Sequence, residues 1–416
     1  MRFQYAPLIV MAISLAVCAQ GEQPEGRFKL SGFGTLGLVW NHSGQAGFIR
    51  DVSQPDGARH HLDGRIDSRL GLQADGKWSE TLAGTLQVVS KYRYDGTFRP
   101  DLSWAFLGWS PKPELEVRGG RLGVETLMDA DSRDVGTTYL WVRPPVECFG
   151  GIPVTRLDGV DLSSTVPVGG QANLRLKAFF GFTSESLPLP DGTDLDLDRD
   201  RIGGLIFEVQ GGNWRARLTY ARFKVRGDFP PPFIALQTGL QAFAVQLNQP
   251  QLGQTAAALR FSGGTLQWFS AGVTGEQGPI RIQAMALRKL SDRIVLPPSW
   301  AGLVSLGYRL DSLEPYAVWS RIASQLPAGP DLGTLTGNPA PRAVALVAGI
   351  DQLLTSNANT QSTVAAGVRW DIMAKADVKL QVERIAVNQA SSFWLEPQSG
   401  WDGRAVVVSA VLDFAF

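Results

Sequence analysis

Residues 404–416 read RAVVVSAVLDFAF and end on an aromatic residue. Apolar side chains occupy every second position of this stretch, while a serine and an aspartate lie on the opposite face. The apolar series is Val406, Val408, Ala410, Leu412, Phe414 and Phe416, and the polar pair is Ser409 and Asp413. A period of two predicts a β-strand with one entirely apolar face. Helices or a second sheet normally cover such a face in soluble proteins, so the other segments decide what covers it here.

The same alternation recurs along the chain, and short links between the alternating stretches take turns with long ones. The predicted strands are 28–40, 63–75, 81–95, 101–110, 114–122, 156–166, 171–182, 201–210, 214–225, 265–274, 280–290, 301–310, 316–324, 363–372, 375–385 and 404–416. This rhythm is typical of an up-and-down transmembrane barrel. We therefore predict an all-β antiparallel barrel of about sixteen strands with long outer loops, and counts of fourteen and eighteen stay open. The stretch 233–247 is predicted as a helix inside one long loop.

The sequence contains no segments that could cover so many apolar faces, which makes lipid the simplest cover. In hydrocarbon every backbone amide must be paired within the sheet, so the sheet has to close. About sixteen strands leave an aqueous lumen in which charged side chains stay hydrated. Aromatic residues near strand ends fit two interfacial girdles. These residues are Trp40, Tyr92, Tyr94, Trp109, Trp370 and Phe416.

The N-terminus predicts export, and the composition excludes several classes of protein. Residues 1–19 form a predicted signal peptide, with Arg2 before the apolar run 7–18 and cleavage after Ala19; a lipoprotein signal through Cys18 is the alternative. Residues 20–416 are predicted to form one domain with Cys148 as its only cysteine, which excludes an intrachain disulfide. Basic and acidic residues both number 39 without a basic stripe, so no nucleic-acid partner is expected.

The stretch FGTLGL at 33–38, the sixteen-strand rhythm and the terminal aromatic residue together resemble the Gram-negative outer-membrane porins. This resemblance covers nearly the whole chain after residue 19. It implies a water-filled channel for passive diffusion of small hydrophilic solutes or ions, contact with outer-membrane lipid and lipopolysaccharide, and a homotrimer without cofactors. It also implies that the barrel assembly machinery recognises the chain end, through Phe416, Phe414 and Leu412.

The irregular segment 123–153 follows the fifth predicted strand, where porins fold a loop into the lumen. It contains the acids Glu125, Asp129, Asp131, Asp134 and Glu147. The inward faces of nearby strands carry the bases Arg65, Arg69, Lys91, Arg93 and Arg118. Acids opposite bases create a transverse field, and we expect these ten residues to form the constriction. The alternative is that the acids are simply solvated and the arginines pair locally with Asp63 and Asp67.

Other candidate sites are weaker. The alternating acids Asp194, Asp196 and Asp198 suggest a calcium site, although a hydrated outer loop explains them as well. Further inward bases on the seventh and ninth strands hint at a preference for anions; these are Arg175, Lys177, Arg215 and Arg217. The alternative function is a barrel enzyme such as a lipid hydrolase, for which His42 and Ser43 of the first loop are the available residues, without a serine-elbow motif around them.

Overall fold

The computed structural model describes residues 27–183, 185–188, 194–227, 231–246, 248, 250–325, 346, 348–350, 354–355, 357–388 and 391–416. The predicted signal peptide 1–19 lies outside these residues. Sixteen antiparallel strands form one closed barrel in which each strand pairs with its neighbours in sequence, as predicted. The strands are β1 (Phe28–Asn41), β2 (Arg69–Lys77), β3 (Leu82–Lys91), β4 (Asp101–Lys112), β5 (Leu115–Gly123), β6 (Arg156–Pro167), β7 (Ala172–Phe182), β8 (Arg201–Gly211), β9 (Trp214–Lys224), β10 (Thr265–Gln277), β11 (Ile280–Ser291), β12 (Ser299–Tyr308), β13 (Leu313–Ser324), β14 (Thr360–Met373), β15 (Ala376–Val387) and β16 (Arg404–Ala415).

The terminal strand closes the barrel against the first. β16 pairs with β1 from Ala415 opposite Phe33 to Val407 opposite Asn41. Phe416 extends the ladder, because its N–H donates to the Gly32 carbonyl at 2.9 Å and its own carbonyl accepts from the Gly32 N–H at 3.0 Å. The Phe416 ring lies directly over Gly32, where a Cβ would collide with it. The aromatic terminus therefore fits a glycine on the opposite strand.

Strand alternation separates an apolar outer face from a polar interior. On β16 the outward Val408 is 39% exposed, whereas the inward Ser409 and Asp413 are buried. Outward Trp109 and Trp370 are each about half exposed, as expected for girdle positions. Tyr92 is different: it is buried, and the Arg65 guanidinium lies 5.1 Å from the centre of its ring. Its prediction as a girdle residue is therefore wrong.

The second strand begins six residues later than predicted. The Asp63 backbone exchanges two hydrogen bonds with Val39, at 2.8 and 2.9 Å. Its side chain then accepts from the Arg65 N–H at 2.7 Å, an Asx-type turn that takes the chain out of the ladder. Regular pairing resumes only at Arg69, opposite Thr35. Alternation alone does not detect this turn, because Asp63 to Asp67 keep the period of two.

The helices lie in the connections between strands. Within the described residues the structure delimits the α-helices α1 (Val146–Phe149), α2 (Pro231–Gln246) and α3 (Pro250–Ala258), and a 3-10 helix at Gly136–Thr138. The predicted loop helix 233–247 corresponds to α2. Within the described ranges, no helix is both long and apolar enough to cross a membrane. Two two-stranded sheets also join loop segments, Gly47–Phe48 with Trp394–Leu395 and Ser186–Pro188 with Asp194–Asp196.

Candidate pore constriction

Residues 124–155, which connect β5 to β6, are called the inner segment here. Their hydrogen bonds go to side chains on the inward faces of strands far apart around the barrel. Ser270 of β10 donates to the Thr126 carbonyl at 2.8 Å, Ser305 of β12 accepts from the Trp141 indole at 2.7 Å, and Lys379 of β15 donates to the Gly136 carbonyl at 2.7 Å. The inner segment has two parts, an acidic half (125–134) and an anchored half (139–149).

Glu125 of the acidic half is surrounded by cations from three strands. Its carboxylate is 2.6 Å from the Lys177 ammonium and 3.1 Å from the Arg217 guanidinium, with Arg175 at 3.5 Å and Arg118 at 4.0 Å. Burial by itself would raise the pKa of Glu125, but the opposing cations, Lys177 first, lower the pKa to about 2. Glu125 is therefore ionised at any physiological pH.

The next acids of this half face different walls of the barrel. Asp129 is 2.5 Å from Arg215 of β9, and Asp134 is 2.8 Å from Lys91 of β3. Asp131 is accessible to solvent yet has protein on several sides. Burial, and secondarily the negative charge of Glu125, raises the pKa of Asp131. Thus three predicted acids form ion pairs with the barrel wall, while Asp131 remains solvent-accessible.

A small cavity lies beside the Lys91–Asp134 contact, between part of this half and the wall formed by β3 and β4. Its volume is about 70 Å³, and acids and bases line both sides. Asp131, Arg133 and Asp134 come from the inner segment, whereas Lys91 and Asp101 come from the wall, with Trp104 beside them. The arrangement places charges of both signs around one water-accessible space.

The anchored half is held by one buried arginine. Arg143 is 1% exposed and donates three hydrogen bonds to the Asp67 carboxylate, at 2.7, 3.0 and 3.2 Å. It also donates to Glu383 of β15 and Ser409 of β16. Although burial would raise the pKa of Asp67, Arg143 lowers it. Because Asp67 precedes β2, a single guanidinium ties the inner segment to the first loop and to two strands.

Glu147 lies in this anchored half and not with the other acids. Its buried carboxylate accepts hydrogen bonds from Gln361 at 2.7 Å, from Ser320 at 2.8 Å and from Thr363. These are neutral donors, so the prediction that Glu147 opposes a basic wall is wrong. Neighbouring Cys148 is also buried, which raises the pKa of its thiol far above the usual range.

The predicted bases also differ in the acids that they contact. Arg65 precedes β2 and pairs locally with Asp63 at 2.6 Å and Asp56 at 2.8 Å, so its assignment to the constriction wall is wrong. Arg93 pairs with Asp101 at 2.9 Å, beside the cavity. Arg118 is bound mainly by Asp161 of β6, at 2.6 Å.

Arg69, the last of the predicted bases, is the first residue of β2, and its side chain is buried. It is 4% exposed, opposite Lys91 in the sheet, while Asp67 pairs with Arg143 instead. Arg69 lies near the Lys91–Asp134 pair, and within the part of the chain that the structure describes it forms no salt bridge with an acid.

The predicted constriction does not include four basic residues that form the ion pairs of Glu125 and of the anchored half. Strand parity placed Lys177, Arg175 and Arg217 inside the barrel, but only the path of the inner segment brings Glu125 to them. Arg143 carried no signal that distinguished it from Arg133. Both facts depend on contacts between residues far apart in sequence.

The remaining candidates gain no geometric support. Among the described residues, no group of three His, Cys, Asp or Glu side chains could hold a metal ion, and Asp194 and Asp196 lie in a two-stranded ladder with Ser186–Pro188. At the other candidate, the His42 carbonyl is 2.9 Å from the His60 ring nitrogen, and the Ser43 hydroxyl accepts from the Gln45 N–H. These contacts are local to the first loop.

The comparisons with known proteins address the fold alone. No family model matches the sequence, and no curated protein matches it. Among solved structures, OmpF of Salmonella typhi in complex with daunomycin aligns with a TM-score of 0.55 at 11% identity, over 94% of this chain and 97% of that chain. An anion-selective porin from Comamonas acidovorans aligns with a TM-score of 0.52 at 13% identity, over 94% and 99%. OmpT of Vibrio cholerae aligns at 0.51 and 11% identity, over 95% and 100%. The chain therefore has the fold of these outer-membrane barrels.

Proposed function

We propose that this protein is an outer-membrane porin of a Gram-negative bacterium, a channel for passive diffusion of small hydrophilic solutes or ions. The observation that carries the proposal is the acidic half of the inner segment, whose carboxylates face cations on the walls of a closed sixteen-stranded barrel. An apolar outer face and a charged, hydrated interior suit a pore in lipid.

The proposed mechanism needs no covalent step. Fixed charges of opposite sign on the two sides of a narrow passage produce a field across it, which orients dipolar solutes and sets the ratio of cations to anions. Glu125 supplies a constant negative charge, because its pKa is about 2. Asp131 supplies an accessible negative charge beside the passage, and Arg93 of the wall lines the same cavity with a positive charge.

The anchored half gives the passage its fixed width. Arg143 and the apolar residues around it hold the segment against β15, β16 and the first loop. A segment held in this way resists the movement that solute entry would otherwise cause. The geometry therefore favours a permanently open, narrow channel over a gated one.

A homotrimer is part of the proposal. One similar structure, OmpT of Vibrio cholerae, is described in a trimer form and aligns with a TM-score of 0.50. Sedimentation of the detergent-solubilised protein measures its mass directly, and a monomer would contradict this part.

The test of the function is reconstitution of the purified protein in planar bilayers and in liposomes. We expect stable ohmic current steps, and swelling of liposomes in small sugars that stops as sugar size increases. The alternative, a barrel enzyme such as a lipid hydrolase, predicts ester hydrolysis without current. Hydrolysis in the absence of current steps would overturn the porin proposal.

A further inference from the structure

Three aromatic rings form a compact group where β1 leads into the first loop, and we call this group the ring triangle. Its members are Trp40, His42 and His60. The centre of the Trp40 ring lies 5.8 Å from that of His42 and 5.7 Å from that of His60, and the two imidazole centres are 6.2 Å apart. Both histidines are exposed. Two imidazoles that are 18 residues apart in sequence are therefore neighbours at the protein surface.

The backbone beside the two histidines holds them close together. The buried Asn41 side-chain amide donates to the Ala58 carbonyl at 3.1 Å, and the Asn41 N–H donates to the Arg59 carbonyl at 3.3 Å. The His42 N–H donates to the Val406 carbonyl at 2.8 Å, which ties this part of the loop to β16. Because the chain on both sides is fixed in this way, a ligand that needs both rings would not have to order the loop first.

A hydrogen bond determines which nitrogen of the His60 ring carries the proton. His60 Nδ1 lies 2.9 Å from the His42 carbonyl oxygen, which can only accept a hydrogen bond. In the neutral ring the proton is therefore on Nδ1, and the lone pair is on Nε2. Histidines that bind metals usually donate their second ring nitrogen to a carbonyl or carboxylate, which orients the ring and raises its basicity. The His60 ring already has this arrangement.

The charge next to the ring triangle is balanced. Arg59, which directly precedes His60, is paired with the exposed Glu396 at 2.9 Å, and its Nη2 is 3.4 Å from the Leu395 carbonyl oxygen. A cation at the rings would therefore meet a guanidinium that is already neutralised. The third histidine of the chain, His61, is exposed as well, but within the described residues it makes no ring contact with the triangle.

These features fit a divalent transition-metal ion. Imidazole nitrogens bind Cu²⁺, Ni²⁺ and Zn²⁺, with Cu²⁺ bound most strongly, whereas calcium and magnesium require oxygen ligands. A metal ion about 2.1 Å from one nitrogen of each ring places the two ring centres about 5–6 Å apart. The observed separation is close to this range, so small side-chain rotations suffice. In the described part of the chain no third His, Cys, Asp or Glu ligand joins the pair, which leaves the remaining coordination positions to water.

We propose that His42 and His60 form a binding site for a divalent transition-metal ion, with Cu²⁺ as the tightest ligand. His60 Nε2 and one ring nitrogen of His42 hold the ion, and water completes its coordination. The site lies at the end of the barrel that carries the long loops, next to the junction of β1 and β16. Long loops lie on the outer surface of such barrels, so the ion binds from outside the cell. The site does not require the lumen to conduct.

The experiment uses the full barrel without an affinity tag, in detergent, with copper(II) chloride as the probe. Isothermal titration calorimetry measures the affinity and the stoichiometry, and electron spin-echo envelope modulation counts the imidazoles bound to Cu²⁺. The test variants are His42→Asn and His60→Asn. The matched control is His61→Asn, which removes an adjacent exposed histidine outside the triangle. Circular dichroism verifies that all variants are folded.

We expect wild type and His61→Asn to bind one Cu²⁺ through two imidazoles. Each test variant should bind it at least about tenfold more weakly, through one imidazole at most, because changes even beyond the direct ligands cost that much. His42→Asn keeps the hydrogen bond from the His60 ring to the carbonyl of residue 42, so its weaker binding would not come from a loosened loop. The proposal is wrong if wild type binds Cu²⁺ through fewer than two imidazoles, if either test variant keeps wild-type affinity, or if His61→Asn weakens binding equally.

Discussion

The two halves of the inner segment have opposite surroundings although they are continuous in sequence. The acidic half places Glu125, Asp129 and Asp134 against cations of β3, β7 and β9, and Asp131 next to water. The anchored half is buried among apolar residues, with the Arg143 guanidinium as its charged centre. We therefore propose that the acidic half sets the charge of the passage and that the anchored half fixes its position.

The largest effect is expected from removing the anchor. In Arg143→Met, the carboxylates of Asp67 and Glu383 stay buried without their cation, which costs about 3–5 kcal/mol. The free energy of unfolding, measured in urea, should fall by that amount, and the current should become noisy as the segment moves.

The matched control is Arg133→Met, the same substitution at a partly exposed arginine of the acidic half. It should leave the unfolding free energy within about 0.5 kcal/mol of wild type. Equal stability losses in both variants would remove the distinction between the halves.

A smaller effect, on selectivity, is expected from Glu125→Gln. Loss of one negative charge among Lys177, Arg175 and Arg217 changes the electrostatic energy of a permeating cation relative to that of an anion by about 1 kcal/mol, and this lowers the cation-to-anion permeability ratio about fivefold. Reversal potentials in a salt gradient measure this ratio. Glu147→Gln is the control, since neutral donors bind that carboxylate in the anchored half. A larger shift in Glu147→Gln than in Glu125→Gln would contradict the assignment.

The pH dependence of selectivity should separate the acids within the acidic half. The pKa of Asp131 is raised above 3.8, so it is protonated early on acidification, whereas Glu125, lowered from 4.5 to about 2, stays charged. Cation preference should therefore begin to decline at a pH at which Glu125 is still ionised. The Asp131→Asn substitution should abolish this decline.

The stability signs of these two acids are opposite. The stabilisation from Glu125 is present above pH 4.5 and is lost as the pH falls towards about 2, whereas protonation of Asp131 favours the folded state. Asp131→Asn should thus lose more stability on acidification than wild type, because the opposing contribution of Asp131 is gone. An unchanged pH profile in this variant would argue against the shifted pKa.

The smallest effect on the passage is expected from a change outside the inner segment. Deletion of Phe416 removes the ring over Gly32 and the last pair of ladder bonds. Membrane insertion should fall strongly, but conductance per inserted molecule should stay at the wild-type value. Quantitative immunoblots of membrane fractions, combined with single-channel records, measure the two quantities separately. Normal membrane levels would show that the terminus is not needed for assembly.

The sequence alone predicts the barrel well because its signal is local. A period of two, repeated in sixteen stretches, requires no knowledge of distant contacts, and all sixteen strands are found near the predicted ranges. The failure at Asp63–Asp67 has a local cause as well, since one side chain that caps a turn interrupts the ladder without disturbing the alternation.

The candidate constriction was only partly predictable, because it depends on where an irregular segment goes after it leaves the wall. Strand parity identifies Lys177 and Arg217 as inward residues, and loop length marks 123–153 as unusual. Parity cannot say that Glu125 meets those cations while Glu147 meets neutral donors. That outcome is fixed by Arg143 and by the apolar packing of the anchored half.

The most direct test of the whole account is thiol accessibility during current recording. Among the described residues the wild type has one thiol, the buried Cys148, whereas Asp131→Cys places another thiol in the acidic half beside the proposed passage. A membrane-impermeant, negatively charged thiol reagent should reduce the current of Asp131→Cys in discrete steps and leave the wild-type current unchanged. Failure of the reagent to alter the Asp131→Cys current, or a loss of wild-type current through Cys148, would contradict a passage bounded by the acidic half.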